Sequence, residues 1–304
     1  MKVFASIDVG SNSVRMLIAG KEDGEIKRLR YERRTTRLAK GFPGGNQISL
    51  ENAELTAKAL REYLEVLSGY QLEGFRAVGT SALREAVNGR EITEYLEREA
   101  GFKIDVICVE EEARLSAKGV TGFLDINTAM ILDIGGGSTE WIIWSGRKLV
   151  KSGSIPVGVV KLAGMCAPPG FPCPKAIASI EDASARIISK TGSYEKGAFV
   201  LTGGTASTLA MVDLALESYN HGLVQGHRVN MDRLHEIYGM IDRTPVTERD
   251  RIKGLPADRA DLIMPGVSLT INIMVAGGFR ELTVSGTGLP EGIILELTGG
   301  LNEY

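Results

Sequence analysis

The chain states one register twice, and that repetition limits its fold more than any other feature. Val3 to Val9 is a short apolar run holding Asp8 near its end, the turn Gly10-Ser11-Asn12-Ser13 follows, and Val14 to Ala19 is apolar again. Two apolar runs around Gly and Asn read as a hairpin. At an offset of 125 residues the same succession recurs: Ala129 to Asp133, the turn Gly135-Gly136-Gly137-Ser138, then Trp141 to Trp144. The offset carries Asp8 onto Asp133, Gly10 onto Gly135 and Ser13 onto Ser138. A second motif obeys it too, since Gly79-Thr80 falls on Gly204-Thr205. Two separate motifs in one register predict a duplicated chain, each half built from a strand–turn–strand unit and a strand–Gly-Thr–helix unit.

The stretch between the repeats fits that plan. The basic segment 26–38 supplies a third strand, Asn52 to Leu67 has apolar residues at helical spacing, and a strand at 74–78 follows. A helix near 91–99, a strand at 104–109 and a helix from Glu110 to about Val120 complete an alternation around one sheet. The fold class is therefore α/β. The boundary falls between Phe123 and Asn127, giving an N-terminal lobe over 1–124 and a C-terminal lobe over 125–304, with the last helix free to pack back toward the hinge. Pro168-Pro169-Gly170-Phe171-Pro172 marks an irregular excursion in the second lobe.

Composition excludes several classes of function. With 304 residues, 43% of them hydrophobic and 24% charged, the chain can bury two cores. A net charge of −3 argues against a general binder of DNA. One local excess stands out: Lys27 to Lys40 holds seven cations and one acid, Glu32. It reads as a charged edge strand that resists sheet association, or as a basic rim that steers a polyanion. His221, His227 and His235 are the only histidines, which leaves little material for an HExxH zinc site or a Ser-His-Asp triad. The odd count of cysteines, Cys108, Cys166 and Cys173, predicts reduced thiols. No apolar run is long enough to cross a membrane, and Asp8 arrives too early for a signal-peptide core. A cytoplasmic protein is expected.

The two Asp-x-Gly turns carry the chemistry. Glycine permits close approach and positive φ, so each turn can expose consecutive N–H groups that bind anionic oxygens. Asp8 and Asp133, one from each lobe, can hold a hard cation such as Mg²⁺. A single turn of this kind is usually a structural hairpin; two in one register favour a site in the cleft between the lobes. Gly203-Gly204-Thr205 places glycine and hydroxyl groups at a helix N-terminus, either to bind phosphate or for simple capping by Thr205 or Ser207. Arg84, in the first-lobe counterpart Thr80-Ser81-Ala82-Leu83-Arg84, can grip phosphate bidentately. Glu110-Glu111-Glu112 opens a helix, where acids are common for the dipole's sake alone. No G-x-x-x-x-G-K-[ST] loop is present, which argues against a P-loop NTPase.

These segments together resemble the exopolyphosphatase / guanosine pentaphosphate phosphohydrolase family. The matching stretches are IDVGSNSVRMLIA (7–19), TTRLAKG (35–41), AVGTSALREAVN (77–88), EEEARLSAKGV (110–120), LDIGGGSTEWII (132–143), IPVGVVKL (155–162), LTGGTAST (201–208) and GLPADRADLIMPG (254–266). The resemblance implies two duplicated ribonuclease H-like lobes of the actin–sugar kinase–Hsp70 type with an interlobe cleft. It implies Glu112 as general base, and Asp8, Asp133 and Glu140 around Mg²⁺ or another divalent cation. It also implies that phosphate lies against Ser13, Arg84 and the loop Gly135, Gly136, Gly137, Ser138 and Thr139, and the turns add Asn12, Gly204 and Thr205 as phosphate-binding candidates. The implied activity is release of terminal phosphate from inorganic polyphosphate or guanosine pentaphosphate, in the stringent response, with a homodimer as one assembly. The sequence departs from the family at Gly288-Leu289-Pro290-Glu291-Gly292, where Pro290 stands in place of an arginine. A kinase of the same fold, or a non-catalytic sensor of polyphosphate or guanosine polyphosphate, are the alternative readings.

Overall fold

β1 (Lys2–Val9) buries every side chain from Phe4 to Val9, so it needs a neighbour on each edge and cover on each face. It has both. β2 (Ser13–Glu22) pairs with it antiparallel, β5 (Leu72–Gly79) pairs with it parallel, and β3 (Glu25–Thr35) extends the sheet beyond β2. β4 (Lys40–Pro43) and α1 (Leu50–Leu67) lie between β3 and β5 in the chain. α1 starts where Ser49 accepts the Asn52 N–H at 3.2 Å, and it buries Ala53, Ala57, Leu60 and Tyr63. α2 (Ser81–Glu85) and α3 (Gly89–Ala100) follow β5, and α3 stops at Gly101, which takes the left-handed conformation at φ 74°. β6 (Asp105–Val106) and α4 (Val109–Thr121) complete this half, with strand order β3-β2-β1-β5-β6.

This computed structural model describes residues 1–43, 45–166 and 171–299. Of the excursion read at 168–172, residues 168–170 lie outside the described ones. The chain forms two units, one made of Met1–Gly122 together with the chain from Leu289 onward, the other of Phe123–Gly288.

The second unit repeats the first. β7 (Thr128–Ile134), β8 (Thr139–Ser145) and β9 (Lys148–Ile155) form an antiparallel run, followed by α5 (Val159–Gly164) and α6 (Pro174–Thr191). β10 (Ala198–Thr202) pairs parallel with β7 and leads into α7 (Gly203–Asp213) and α8 (His221–Val224). β11 (Arg228–Asn230), α9 (Met231–Arg243), α10 (Ile263–Gly277) and β12 (Glu281–Val284) end it. Its order is β11-β12-β10-β7-β8-β9. Reversed and without the extra edge strand β11, that is the order of the first sheet.

Three details differ from the sequence reading. The strand expected over 104–109 is only Asp105–Val106, because its partner β5 ends at Gly79, to whose carbonyl Ile107 makes the last bond, and α4 begins at Val109. The last helix, α11 (Leu289–Leu297), expected at the end of the 125–304 lobe but free to pack back, groups with the first unit. Leu289 and Ile293 join Val78, Ile107 and Leu115, while Ile294 joins Phe4 and Leu17. Gly292 makes this possible, since a side chain there would collide with Leu115 O on α4. Pro290 sits buried in the first turn of α11, where a missing N–H costs nothing, and its carbonyl accepts from Ser6 at 2.9 Å. The expectation of reduced thiols is corrected for two of the three: the end of α5 and the start of α6 bring Cys166 and Cys173 to a Cα separation of 5.6 Å, and they form a disulfide. Cys108 is free and exposed. Among the described residues, no helix is long and apolar enough to cross a membrane.

Candidate active site

In the first unit the chain turns immediately after β1. Gly10 N–H donates to Ser13 O at 3.1 Å, and a Cβ on Gly10 would stand 3.0 Å from that oxygen. Tyr63 of α1 braces the turn by donating to Val14 O at 3.0 Å; burial raises its pKa, so the hydroxyl keeps its proton. Asp8 is fully buried. Its Oδ2 accepts from Arg15, directly opposite on β2, with Nε at 2.6 Å. Its Oδ1 has no hydrogen-bond partner among the described residues, and neither have Oδ1 and Nδ2 of Asn12 or Oγ1 of Thr36. Only six buried side-chain atoms among the described residues are in that condition, and four of them lie here. An unsatisfied buried polar atom costs about 1–3 kcal/mol. Such atoms are rare, and a concentration of them points to a ligand. Segment 36–39 is fixed to the turn by Thr36 and Arg37 N–H to Asn12 O, at 3.1 and 2.9 Å, and by Ala39 N–H to Ser11 O at 2.9 Å.

Arg84 and Glu112 meet in the same unit. α2 presents Arg84, and the first turn of α4 presents Glu112, which is 8% exposed. Nη1 of Arg84 donates to Glu112 Oε2 at 2.8 Å and to Ile107 O at 2.9 Å. Nε and Nη2 of Arg84 make no hydrogen bond among the described residues, so the guanidinium can hold the carboxylate and still offer two N–H edges to an anion.

The second unit copies the turn. Gly135 N–H donates to Ser138 O at 3.0 Å, and a Cβ on Gly135 would stand 3.1 Å from it. The start of α5 clamps the turn, with Val159 N–H on Gly135 O at 3.0 Å and Val160 N–H on Gly136 O at 2.9 Å. Gly158 is needed for that approach, since its Cβ would meet Gly136 O at 2.5 Å. Ser138 is buried at the turn, whereas the Thr139 hydroxyl is committed to Val157 O at 2.6 Å. Asp133 and Glu140 stand opposite one another on β7 and β8, both buried, and Glu140 also accepts from Ser154 at 2.8 Å. Like charges directly opposite on adjacent strands repel.

The Gly-Thr segment differs from its capping reading. α7 begins at Gly203 with no side-chain cap; Thr202 donates to Thr287 O at 2.7 Å and Ser207 bonds back to Gly203 O at 3.1 Å. Thr205 packs toward α10, where a Cβ on Gly266 would collide with its hydroxyl. Gly203 has φ 87°, and a Cβ there would come within 2.7 Å of Asp133 Oδ1. The first amides of α7 are thus open to an anion as far as side-chain capping goes.

Arg15, Thr36 and Arg259 escaped the sequence reading. For Arg15 a signal existed: the 125-residue offset lands it on Glu140, so one repeat pairs an acid with a base where the other pairs two acids. Arg259 lies over the start of α7, where a side chain on Gly204 would collide with its guanidinium. Among the described residues no three or more His, Cys, Asp or Glu gather into a metal cluster. Mg²⁺ needs only one or two protein carboxylates. Within the first unit Asp8 Oδ1 is a carboxylate oxygen with no partner among the described residues, and within the second Asp133 and Glu140 are two acids side by side; each is the type of donor such a cation takes.

The family model described as the Ppx/GppA phosphatase family matches residues 17–300. A guanosine-5'-triphosphate,3'-diphosphate pyrophosphatase of Aeromonas hydrophila subsp. hydrophila is 27% identical over 98% of this chain, which spans 60% of that protein. Exopolyphosphatase 2 of Mycobacterium tuberculosis is 29% identical over 97% of this chain and 98% of its own length. The crystal structure of the Aquifex aeolicus member of the Ppx/GppA family superposes with a TM-score of 0.82 at 28% identity, covering 99% of each chain.

Proposed function

The chain belongs to the Ppx/GppA phosphatase family, and from that premise we propose that it releases the terminal phosphate of inorganic polyphosphate or guanosine pentaphosphate by attack of water. The observation that carries the reading is the contact between Arg84 and Glu112. A buried carboxylate is held by one nitrogen of a guanidinium whose other N–H groups have no partner among the described residues. In this reading Glu112 takes the proton of the attacking water and Arg84 draws in the phosphoryl oxygens. Base catalysis of this kind contributes about 10²–10⁴ in rate.

The turn amides at 11–13 and 136–138, with Asn12, Ser13, Ser138 and the start of α7 at Gly204 and Thr205, bind phosphate oxygens, while the Gly10 and Gly135 N–H groups stay committed to closing their turns. Thr139 acts through the backbone, since its hydroxyl is committed to Val157. In this reading Asp8, Asp133 and Glu140 would be the carboxylates that serve a divalent cation, Mg²⁺ in the first instance. The cation supplies positive charge to a reaction in which negative charge spreads over phosphoryl oxygens.

The test is phosphate release from polyphosphates of graded length and from guanosine pentaphosphate, with and without Mg²⁺. Free phosphate from either substrate, abolished by chelation, supports the reading. Tight binding without release defeats it in favour of a sensor, and transfer of phosphate from ATP to an added acceptor defeats it in favour of a kinase.

A further inference from the structure

The Thr36 hydroxyl is buried, 3% exposed as a residue, and bonded to nothing among the described residues. As part of the core it is a poor choice, because valine has the same shape and would bury no unsatisfied polar group. The backbone places Thr36 against the turn, its N–H donating to Asn12 O at 3.1 Å. Asn12, whose amide is orphaned at both ends, and Asp8, orphaned at Oδ1, complete the group.

These atoms have complementary capacities. The Thr36 hydroxyl and Asn12 Nδ2 are donors, suited to anionic oxygens. Asp8 Oδ1 and Asn12 Oδ1 are acceptors, suited to a cation or its bound water. A ligand that satisfies all four carries oxyanions and an accompanying cation together, as a metal-chelated phosphate chain does. We propose that Thr36 is a substrate-binding residue, its hydroxyl donating to a non-bridging oxygen of the phosphate chain beside the Asn12 amide. The identity of that ligand rests on the phosphohydrolase reading above. The four atoms are sealed from solvent in this state. A phosphate therefore reaches them when their cover moves aside, and in the dry surroundings the bond is stronger than the same bond in water.

The experiment compares wild type, Thr36→Val and Thr36→Ser in three measurements. These are thermal unfolding without ligand, the shift of the unfolding temperature by tripolyphosphate with Mg²⁺, and KM and kcat for tripolyphosphate. Thr36→Val is expected to unfold at or above the wild-type temperature without ligand, yet to lose most of the tripolyphosphate shift. Its KM should rise about 10- to 100-fold, the range of one hydrogen bond to a charged group. Thr36→Ser, which keeps the hydroxyl, should recover most of the shift. A Thr36→Val protein that is less stable without ligand, or fails to fold, assigns the hydroxyl a structural role and overturns the proposal. A Thr36→Val protein with the wild-type shift and KM overturns it equally. If wild type neither responds to tripolyphosphate nor releases phosphate, the phosphohydrolase reading itself falls and takes this ligand with it.

Discussion

Arg84 donates through Nη1 to Glu112 Oε2 at 2.8 Å and through the same nitrogen to Ile107 O at 2.9 Å, so the carboxylate is tied to a backbone position that α4 itself follows. Glu112→Gln keeps the shape and a partner for Arg84 but removes the proton acceptor. The expected result is a fall in kcat of about 10²–10⁴ with KM changed little. Steady-state phosphate release measures it, and wild-type turnover in the variant would remove Glu112 from the base role.

Asp133 and Glu140 are buried opposite one another, and two acids so placed favour a cation between them. Glu140→Gln should therefore hold its unfolding temperature in the absence of metal, while the Mg²⁺ concentration needed for half-maximal stabilisation and activity rises about tenfold or more, as loss of one charged ligand implies. A Mg²⁺ titration followed by thermal unfolding reads this directly. An unchanged midpoint would show that Glu140 does not serve the cation.

Gly292 lets α11 lie on α4, with no room for a side chain before Leu115 O. Gly292→Ala forces the helices apart, and overpacking of this sort costs about 1–3 kcal/mol. The unfolding temperature should drop by several degrees, and kcat should fall with it because α4 carries Glu112. A variant as stable as wild type would mean that the two helices can separate freely.

Glu296 on α11 joins an ion network, with Arg76 Nη1 at 3.1 Å and Arg114 Nη1 at 2.6 Å, and Arg76 also reaches Glu111 on α4 at 2.8 Å. Burial raises the Glu296 carboxyl, but the Arg114 hydrogen bond and the charges of Arg114, Arg76 and Lys118 outweigh it and hold its pKa below the ordinary glutamate value. The folded state thus binds this proton less tightly than the unfolded chain. The stabilisation is complete above about pH 5 and is lost as the pH falls through the depressed folded value. Wild type should exceed Glu296→Gln in unfolding temperature at pH 7, and the gap should close toward pH 3. A gap that stayed constant across that range would exclude Glu296 as a source of acid sensitivity.

What could be read in advance followed from spacing. The 125-residue offset predicted two strand–turn–strand units, and the structure gives both, with Gly10 and Gly135 closing their turns by the same bond. Helical periodicity located α1 because burial of one face is written at every third or fourth residue. The disulfide between Cys166 and Cys173 was not legible, since a count of cysteines says nothing about which of them two helix ends will bring together.

The sequence by itself determined the α/β class, the duplication, the family and the identities of the acids and glycines at the two turns. Local spacing and backbone stereochemistry are enough for the class, the duplication and the turns, and the family follows from the resemblance of the segments in order along the chain. Tertiary structure alone decided that Arg15 pairs with Asp8 while Asp133 lies opposite another acid, that Arg84 holds Glu112, that α11 completes the first unit, and that the Thr36 hydroxyl has no hydrogen-bond partner among the described residues. Each of those depends on which distant segments come within about 3 Å of one another, and hydrogen bonds and ion pairs are too short in range for a linear pattern to fix them.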